Sequence, residues 1–196
     1  MLKAFAAVFA LIAIVALPHA AEAQAGNLVA QGRQALAADR IDEAIALFEK
    51  AVAADAKDPA ALAELGGAQV RKAPKVPLFE RPGWVQKGFR TLDEAADLFP
   101  SASIVYVVRG IAAASVPDLF NKTAVAVKDL TTVVAMKDTT PAAVPDSVMG
   151  NVLLNLGPAY KKRGQIAEAR AVWEQARKVY PAAPEAPAID KELKSL

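Results

Sequence analysis

The C-terminal third of the chain shows the most regular pattern of apolar and polar positions. Between residues 151 and 181, apolar or small residues recur every three or four positions, a spacing that places them on one face of an α-helix. Gly164 interrupts this pattern and Pro181 ends it. Because glycine permits a turn and proline cannot donate the backbone hydrogen bond that continues a helix, the segment predicts two helices joined by a short turn.

Four residues of this segment are separated by twelve, four and three positions: Gly157, Ala169, Trp173 and Ala176. Small residues at the first two positions suit helices that cross closely, because a larger side chain would push them apart. The same three spacings recur near the start of the chain, at Gly32, Ala44, Phe48 and Ala51. Two helical hairpins of one kind are therefore predicted, one at each end of the chain.

This pattern is similar to the tetratricopeptide-repeat signature, in which leucine-glycine, tyrosine, alanine, an aromatic residue, alanine and proline follow one another over about 34 residues. The resemblance implies an all-α fold, a right-handed superhelical stack of about four helical hairpins. The approximate repeats are residues 25–58, 59–102, 103–140 and 147–181, and residues 184–196 are expected to form a C-terminal capping helix. Pro158 departs from the family pattern and is expected to kink its helix or remove one of its backbone hydrogen bonds.

The two central repeats depart from the spacing of the outer ones. Gly66 and Gly88 are twenty-two positions apart instead of twelve, and Gly110 and Ala126 are sixteen apart. The larger excess falls in residues 73–84, the central insertion, which contains three prolines. Loops on a rigid scaffold often carry function, so this segment is a candidate binding loop.

Three side chains of the central insertion are candidates for contact with a partner: Phe79, Arg81 and Trp84. Aromatic and arginine side chains are enriched among the residues that contribute most to binding energy. The alternative is that Phe79 and Trp84 fold back onto the stack and that the prolines only end the preceding helix. The sequence leaves both interpretations open.

Arg109 occupies a position at which repeats of this family usually carry an apolar residue. A buried arginine needs a carboxylate partner, for which Asp118 and Asp129 are the candidates. The alternative is a site for an anionic group in the groove of the stack.

The resemblance implies that partners bind in a concave groove lined by the first helix of each hairpin. The expected lining is apolar with scattered positive charge: Val29, Arg33, Ala63, Gly67, Val70, Arg71, Val107, Ile111, Leu154 and Lys161. With the central insertion, this gives seven candidate partner-binding residues: Phe79, Arg81, Trp84, Arg33, Arg71, Arg109 and Lys161.

Residues 1–23 are predicted to be a cleaved signal peptide, and residues 24–196 to be the repeat domain. A short basic start precedes an apolar run over residues 4–17, and Pro18 separates this run from the sequence Ala21-Glu22-Ala23, which is typical of a cleavage site. The run is shorter than the about 20 residues that cross a bilayer. No cysteine follows it, so no lipid anchor is expected. The predicted location is periplasmic or secreted, with membrane contact only during export.

Composition argues against most catalytic chemistry. The chain has no cysteine, and its one histidine, His19, lies in the predicted signal peptide. Histidine-dependent nucleophilic systems, thiolate zinc sites and histidine-ligated haem are therefore not expected, and no phosphate-binding glycine motif is present. The net charge of +2 is too small to indicate nucleic-acid binding. No enzymatic activity, metal or cofactor is expected.

Two functions remain open. The first is a periplasmic adaptor or scaffold that binds a protein or peptide partner through the groove or the central insertion. The second is a small-ligand-binding accessory protein of a transport system, which would need a pocket beneath the central insertion. The identity of the partner and the oligomeric state do not follow from the sequence.

Overall fold

The structure is a computed structural model that describes residues 22–196. The predicted signal peptide lies outside these residues except for its last two positions, which belong to the first described helix. Export and cleavage after Ala23 therefore stay predictions. No helix in the described part of the chain is long and apolar enough to span a membrane.

All regular structure in residues 22–196 is helical. The α-helices are α1 (residues 22–37), α2 (Ile41–Ala54), α3 (Pro59–Lys72), α4 (Arg81–Leu98), α5 (Ser103–Ser115), α6 (Thr123–Thr139), α7 (Asp146–Lys162), α8 (Ile166–Val179) and α9 (Ala186–Lys194). Three short 3₁₀-helices lie in the connections, at Ala73–Lys75, Asp118–Phe120 and Pro141–Ala143.

Consecutive helices pair into four hairpins: α1 with α2, α3 with α4, α5 with α6 and α7 with α8. The first helices also follow one another through the stack, because α5 packs against both α3 and α7. The last helix, α9, packs on α7 and α8. This arrangement confirms the predicted all-α stack of four hairpins with a C-terminal capping helix.

Each hairpin closes where a glycine on its first helix meets a buried side chain on its second. A methyl group at Gly157 would overlap the indole ring of Trp173, and one at Gly32 would overlap the ring of Phe48. In the third hairpin, a Cβ atom at Gly110 would stand 2.7 Å from Leu130 Cδ2. The small residue in each repeat therefore allows a close helix crossing.

Pro158 lies within α7 without ending it. Proline has no N–H group, so the carbonyl of Leu154, four residues earlier, lacks its usual helical donor. The indole Nε1–H of Trp173 donates a hydrogen bond to that carbonyl over 3.3 Å. The fully buried tryptophan therefore replaces, from α8, a hydrogen bond that α7 has lost.

The loop within the central insertion is shorter than the sequence predicted. Helix α4 begins at Arg81, so Arg81 and Trp84 belong to its first turn, and the loop prediction is wrong for these residues. Pro82 stands near the start of this helix, where an N–H group would have no intrahelical partner. The third proline of the insertion thus favours the start of a helix.

Three ion pairs join the first hairpin to the second. They are Arg33–Glu64 at 2.6 Å, Asp42–Lys72 at 2.6 Å and Asp39–Lys75 at 2.5 Å. Each has at least one exposed partner. The Lys75 ammonium, by hydrogen bond and by charge, holds the pKa of Asp39 below its usual value.

Candidate functional site

The first helices of the four hairpins line a concave groove that encloses a cavity of about 920 Å³. Helices α1 and α3 form one wall, α5 forms the floor and the start of α7 forms the other wall. The volume of the groove is larger than that of the second cavity described below. The groove lies on the first helices of the hairpins, as the resemblance to tetratricopeptide repeats predicts.

The floor of the groove is apolar because aliphatic side chains occupy the positions of α5 that line it. Val105 and Gly110 pack into the stack, while Ile104, Val108 and Ile111 are only partly buried and line the cavity. The latter three follow helical spacing, which places them on one face. The floor therefore presents branched aliphatic side chains to any molecule in the groove.

Polar side chains stand on both walls. On the α1–α3 wall, Arg33 Nε contacts Glu64 Oε1 at 2.6 Å, while the Arg71 guanidinium only reaches the carbonyl of Leu36, at 3.5 Å. Arg71 has no carboxylate partner among residues 22–196. The opposite wall, at α7, is uncharged and includes Ser147 and Asn151. The charged groups of the groove are therefore concentrated on one side.

Five of the ten residues expected to line the groove do so: Arg33, Gly67, Arg71, Val107 and Ile111. Val29, Ala63 and Val70 are buried in the stack, with 3%, 0% and 3% of their surfaces exposed, because they face neighbouring helices. Their assignment to the groove surface is wrong.

Leu154 and Lys161 are also absent from the lining of the groove. Lys161 Nζ lies 3.4 Å from Glu192 Oε2 on α9 and 5.6 Å from the centre of the Trp173 ring. The capping helix covers this part of α7, and for that reason the predicted placement of Lys161 in the groove is wrong.

Arg109 forms an internal ion pair. Its Nε and Nη2 atoms donate to the two carboxylate oxygens of Asp129 at 2.7 and 3.0 Å, and Nη1 donates to Asp93 at 3.1 Å. The side chain of Asp129 is fully buried, and the hydrogen bond that Arg109 donates to it raises the pKa of the guanidinium. Of the two expected partners, Asp129 is the one observed, while Asp118 pairs with Lys162 at 3.0 Å.

The three candidates of the central insertion have different environments. The side chain of Phe79 is 82% exposed, and that of neighbouring Leu78 is 76% exposed. Trp84 is half-buried against apolar residues of the stack, with Lys87 Nζ 5.2 Å from its ring centre. Arg81 Nε donates to the carbonyl of Val76 at 3.2 Å. Of these three side chains, Phe79 is therefore the one that presents an aromatic surface to solvent.

A second cavity, of about 480 Å³, lies between the α3–α4 and α5–α6 connections. We call it the loop cavity. Its lining includes residues 73–75 on one side and residues 115–117 on the other, together with Arg71 and Arg81. From the sequence, a pocket beneath the central insertion was only a requirement of the second function, because such a pocket depends on two connections, distant in the chain, lying side by side. Residues 22–196 hold no cluster of three or more potential metal-ligating side chains.

No protein-family model and no curated protein sequence matches the chain. Solved structures, in contrast, do match the chain. The crystal structure of TTC0263, described as a thermophilic TPR protein in Thermus thermophilus, superposes with a TM-score of 0.52 and 20% identity over 88% of this chain and 100% of that one.

Two structures of MamA are similar to the same degree. A mutant of MamA gives a TM-score of 0.53 with 25% identity over 81% of this chain and 78% of that one. A second structure, of MamA AMB-1, gives a TM-score of 0.52 with 24% identity over 81% of this chain and 74% of that one. Together with the four hairpins and their glycine contacts, these relatives confirm that the chain has the tetratricopeptide-repeat fold.

Proposed function

We propose that this protein is a non-enzymatic scaffold of the periplasm that binds a segment of a partner protein in its concave groove. The observation that carries the proposal is the apolar floor that α5 presents inside a cavity of about 920 Å³. Partly exposed aliphatic side chains in a concave surface are typical of binding sites, because covering them removes apolar area from water at about 25 cal/mol per Å².

The dimensions of the groove favour a peptide segment as its occupant. The lining comes from the first helices of four successive hairpins, from Arg33 on α1 to Asn151 on α7, and is therefore an extended surface. Side chains of a bound segment would reach Ile104, Val108 and Ile111 on the floor. Extended or helical segments bury apolar side chains in such grooves at regular intervals.

The unequal walls of the groove would orient the bound segment. Arg71 can donate hydrogen bonds to a carbonyl or carboxylate of the partner because no carboxylate in the described chain occupies it. Hydrogen bonds from a charged donor are about twice as strong as neutral ones. Ser147 and Asn151 on the other wall offer neutral polar contacts.

The periplasmic location rests on the basic start, the apolar run over residues 4–17 and the small residues before Gln24. A small-ligand-binding accessory role remains the second candidate. The loop cavity favours it, because its volume of about 480 Å³ lies in the range of small-molecule sites.

A peptide library displayed on phage tests the groove. Selection uses the mature protein purified from the bacterium that expresses it. The affinity of each selected peptide is then measured for the wild type and for variants that fold as well as the wild type. Ile111→Glu places a charge on the groove floor and is expected to weaken binding about tenfold or more, since one lost aliphatic contact is worth about 1.5 kcal/mol.

Phe79→Ser is the matched control, because Phe79 is exposed and is not among the residues that line the groove. Its affinity for the selected peptides should equal that of the wild type. Loss of binding in Phe79→Ser with retention in Ile111→Glu would move the site to the central insertion. Selection that enriches no peptide would also contradict the proposal.

A further inference from the structure

The loop cavity has walls that are apolar and already packed. Ile41, Val70, Val85 and Val116 each contribute to the lining while exposing only 3–6% of their surfaces. They come from three different hairpins, each held in place by the stack. These buried residues form the base of the cavity, while Pro74, Pro117 and Phe120 expose apolar surface in its lining.

Two arginines add unbalanced positive charge to the same cavity. Arg71 and Arg81 both belong to its lining, and each donates only to a backbone carbonyl, at 3.5 and 3.2 Å. Neither forms an ion pair within residues 22–196. Lys75 pairs with Asp39 at 2.5 Å, and the charge of Arg71 also lowers the pKa of Asp39, so three cations of the lining face one carboxylate.

We propose that the loop cavity binds a small amphipathic organic anion, with a carboxylate head held by Arg71 and Arg81 and a short apolar chain against Pro74, Pro117 and Phe120. Arginine presents several N–H donors in a plane that matches a carboxylate. Apolar walls with a few polar groups at one position are the usual composition of a small-molecule site. This site shares Arg71 and Ser115 with the groove and otherwise has its own lining, so peptide binding in the groove is not required for it.

Arg71 contributes to both cavities, so it alone cannot locate the ligand. Arg81 lines the loop cavity and not the groove, whereas Arg33 lines the groove and not the loop cavity. Substitution of each of these two arginines by glutamine therefore shows whether a ligand binds in the loop cavity or in the groove. Both side chains are exposed, and Arg33→Gln loses only the exposed ion pair with Glu64, which is worth at most about 1 kcal/mol.

The probe is octanoate, measured by isothermal titration calorimetry, with octanol as the neutral probe of the same chain length. We expect octanoate to bind the wild type at least about tenfold more tightly than octanol, since hydrogen bonds to a charged group contribute about this factor. Arg81→Gln and Arg71→Gln should each weaken octanoate binding about tenfold. Arg33→Gln should leave it unchanged.

Several results would overturn the proposal. Octanoate binding that is lost in Arg33→Gln and kept in Arg81→Gln would place the anion in the groove. Equal affinities for octanoate and octanol would remove the role of the arginines, and absence of octanoate binding would remove the site. Peptide binding by the groove is measured separately with Ile111→Glu, so failure of either proposal is distinguishable from failure of the other.

Discussion

The indole group of Trp173 hydrogen-bonds to a carbonyl that Pro158 has left without its helical donor. Trp173→Phe removes the N–H group and keeps most of the apolar ring. The Leu154 carbonyl then loses its donor in a part-buried position, which costs about 1–3 kcal/mol of unfolding free energy. The smaller ring adds a further cost because it leaves a void beside Gly157.

Pro158→Ala restores the missing backbone donor, so the Leu154 carbonyl no longer depends on Trp173. In this background, Trp173→Phe should lose only the packing part of its cost. The two substitutions are therefore expected to be coupled by about 1 kcal/mol, within the range seen for residues that share a partner. If Trp173 stabilised the stack by packing alone, the two substitutions would show no such coupling.

Urea unfolding of the wild type, the two single variants and the double variant measures the coupling energy, with helicity followed by circular dichroism. Pro158→Ala alone is expected to raise the free energy of unfolding, because alanine is a far better helix former than proline. Additivity of the two changes within about 0.3 kcal/mol would refute the reasoning. It would mean that the N–H of Trp173 does not compensate for the proline.

Three further predictions concern packing, charge and processing. Gly157→Ala should destabilise by about 1–3 kcal/mol, because its methyl group has no space, whereas the exposed helical Gly83→Ala should be neutral or stabilising; equal melting temperatures would contradict this. Asp129→Asn should cost about 3 kcal/mol in urea unfolding, because it breaks the buried pair with Arg109; a change near zero would show that the pair contributes nothing. Intact-mass measurement of periplasmic protein should find an N-terminus at Gln24, and a species that keeps residues 1–23 would contradict cleavage.

The spacing of small and aromatic residues was sufficient to predict the hairpins. The rule held even where the connection lengthened, because Gly88 faces Gly66 across the second hairpin, as the repeat requires. Leu92 and Ala95, four and seven positions later, are fully buried. Helix crossings depend on residue size at fixed positions, which a single sequence contains.

Contacts between hairpins were harder to predict from the sequence than contacts within a hairpin. Asp129 was one of two candidate partners of Arg109, both in its own hairpin, whereas Asp93 comes from the preceding hairpin and its approach depends on how the two hairpins pack. Lys161 was assigned to the groove because the position of α9 on α7 could not be derived from local pattern. Long-range packing of this kind leaves no periodic signal in the sequence.

The three ion pairs between the first and second hairpins make one end of the stack sensitive to ionic strength. Each hairpin contacts mainly its neighbours, so a repeat stack opens most easily at its ends. Exposed ion pairs are worth at most about 1 kcal/mol each, and dissolved salt screens them over about 8 Å at physiological concentration. Helix α1 provides a wall of the groove, so we expect high salt to loosen this wall before the rest of the stack.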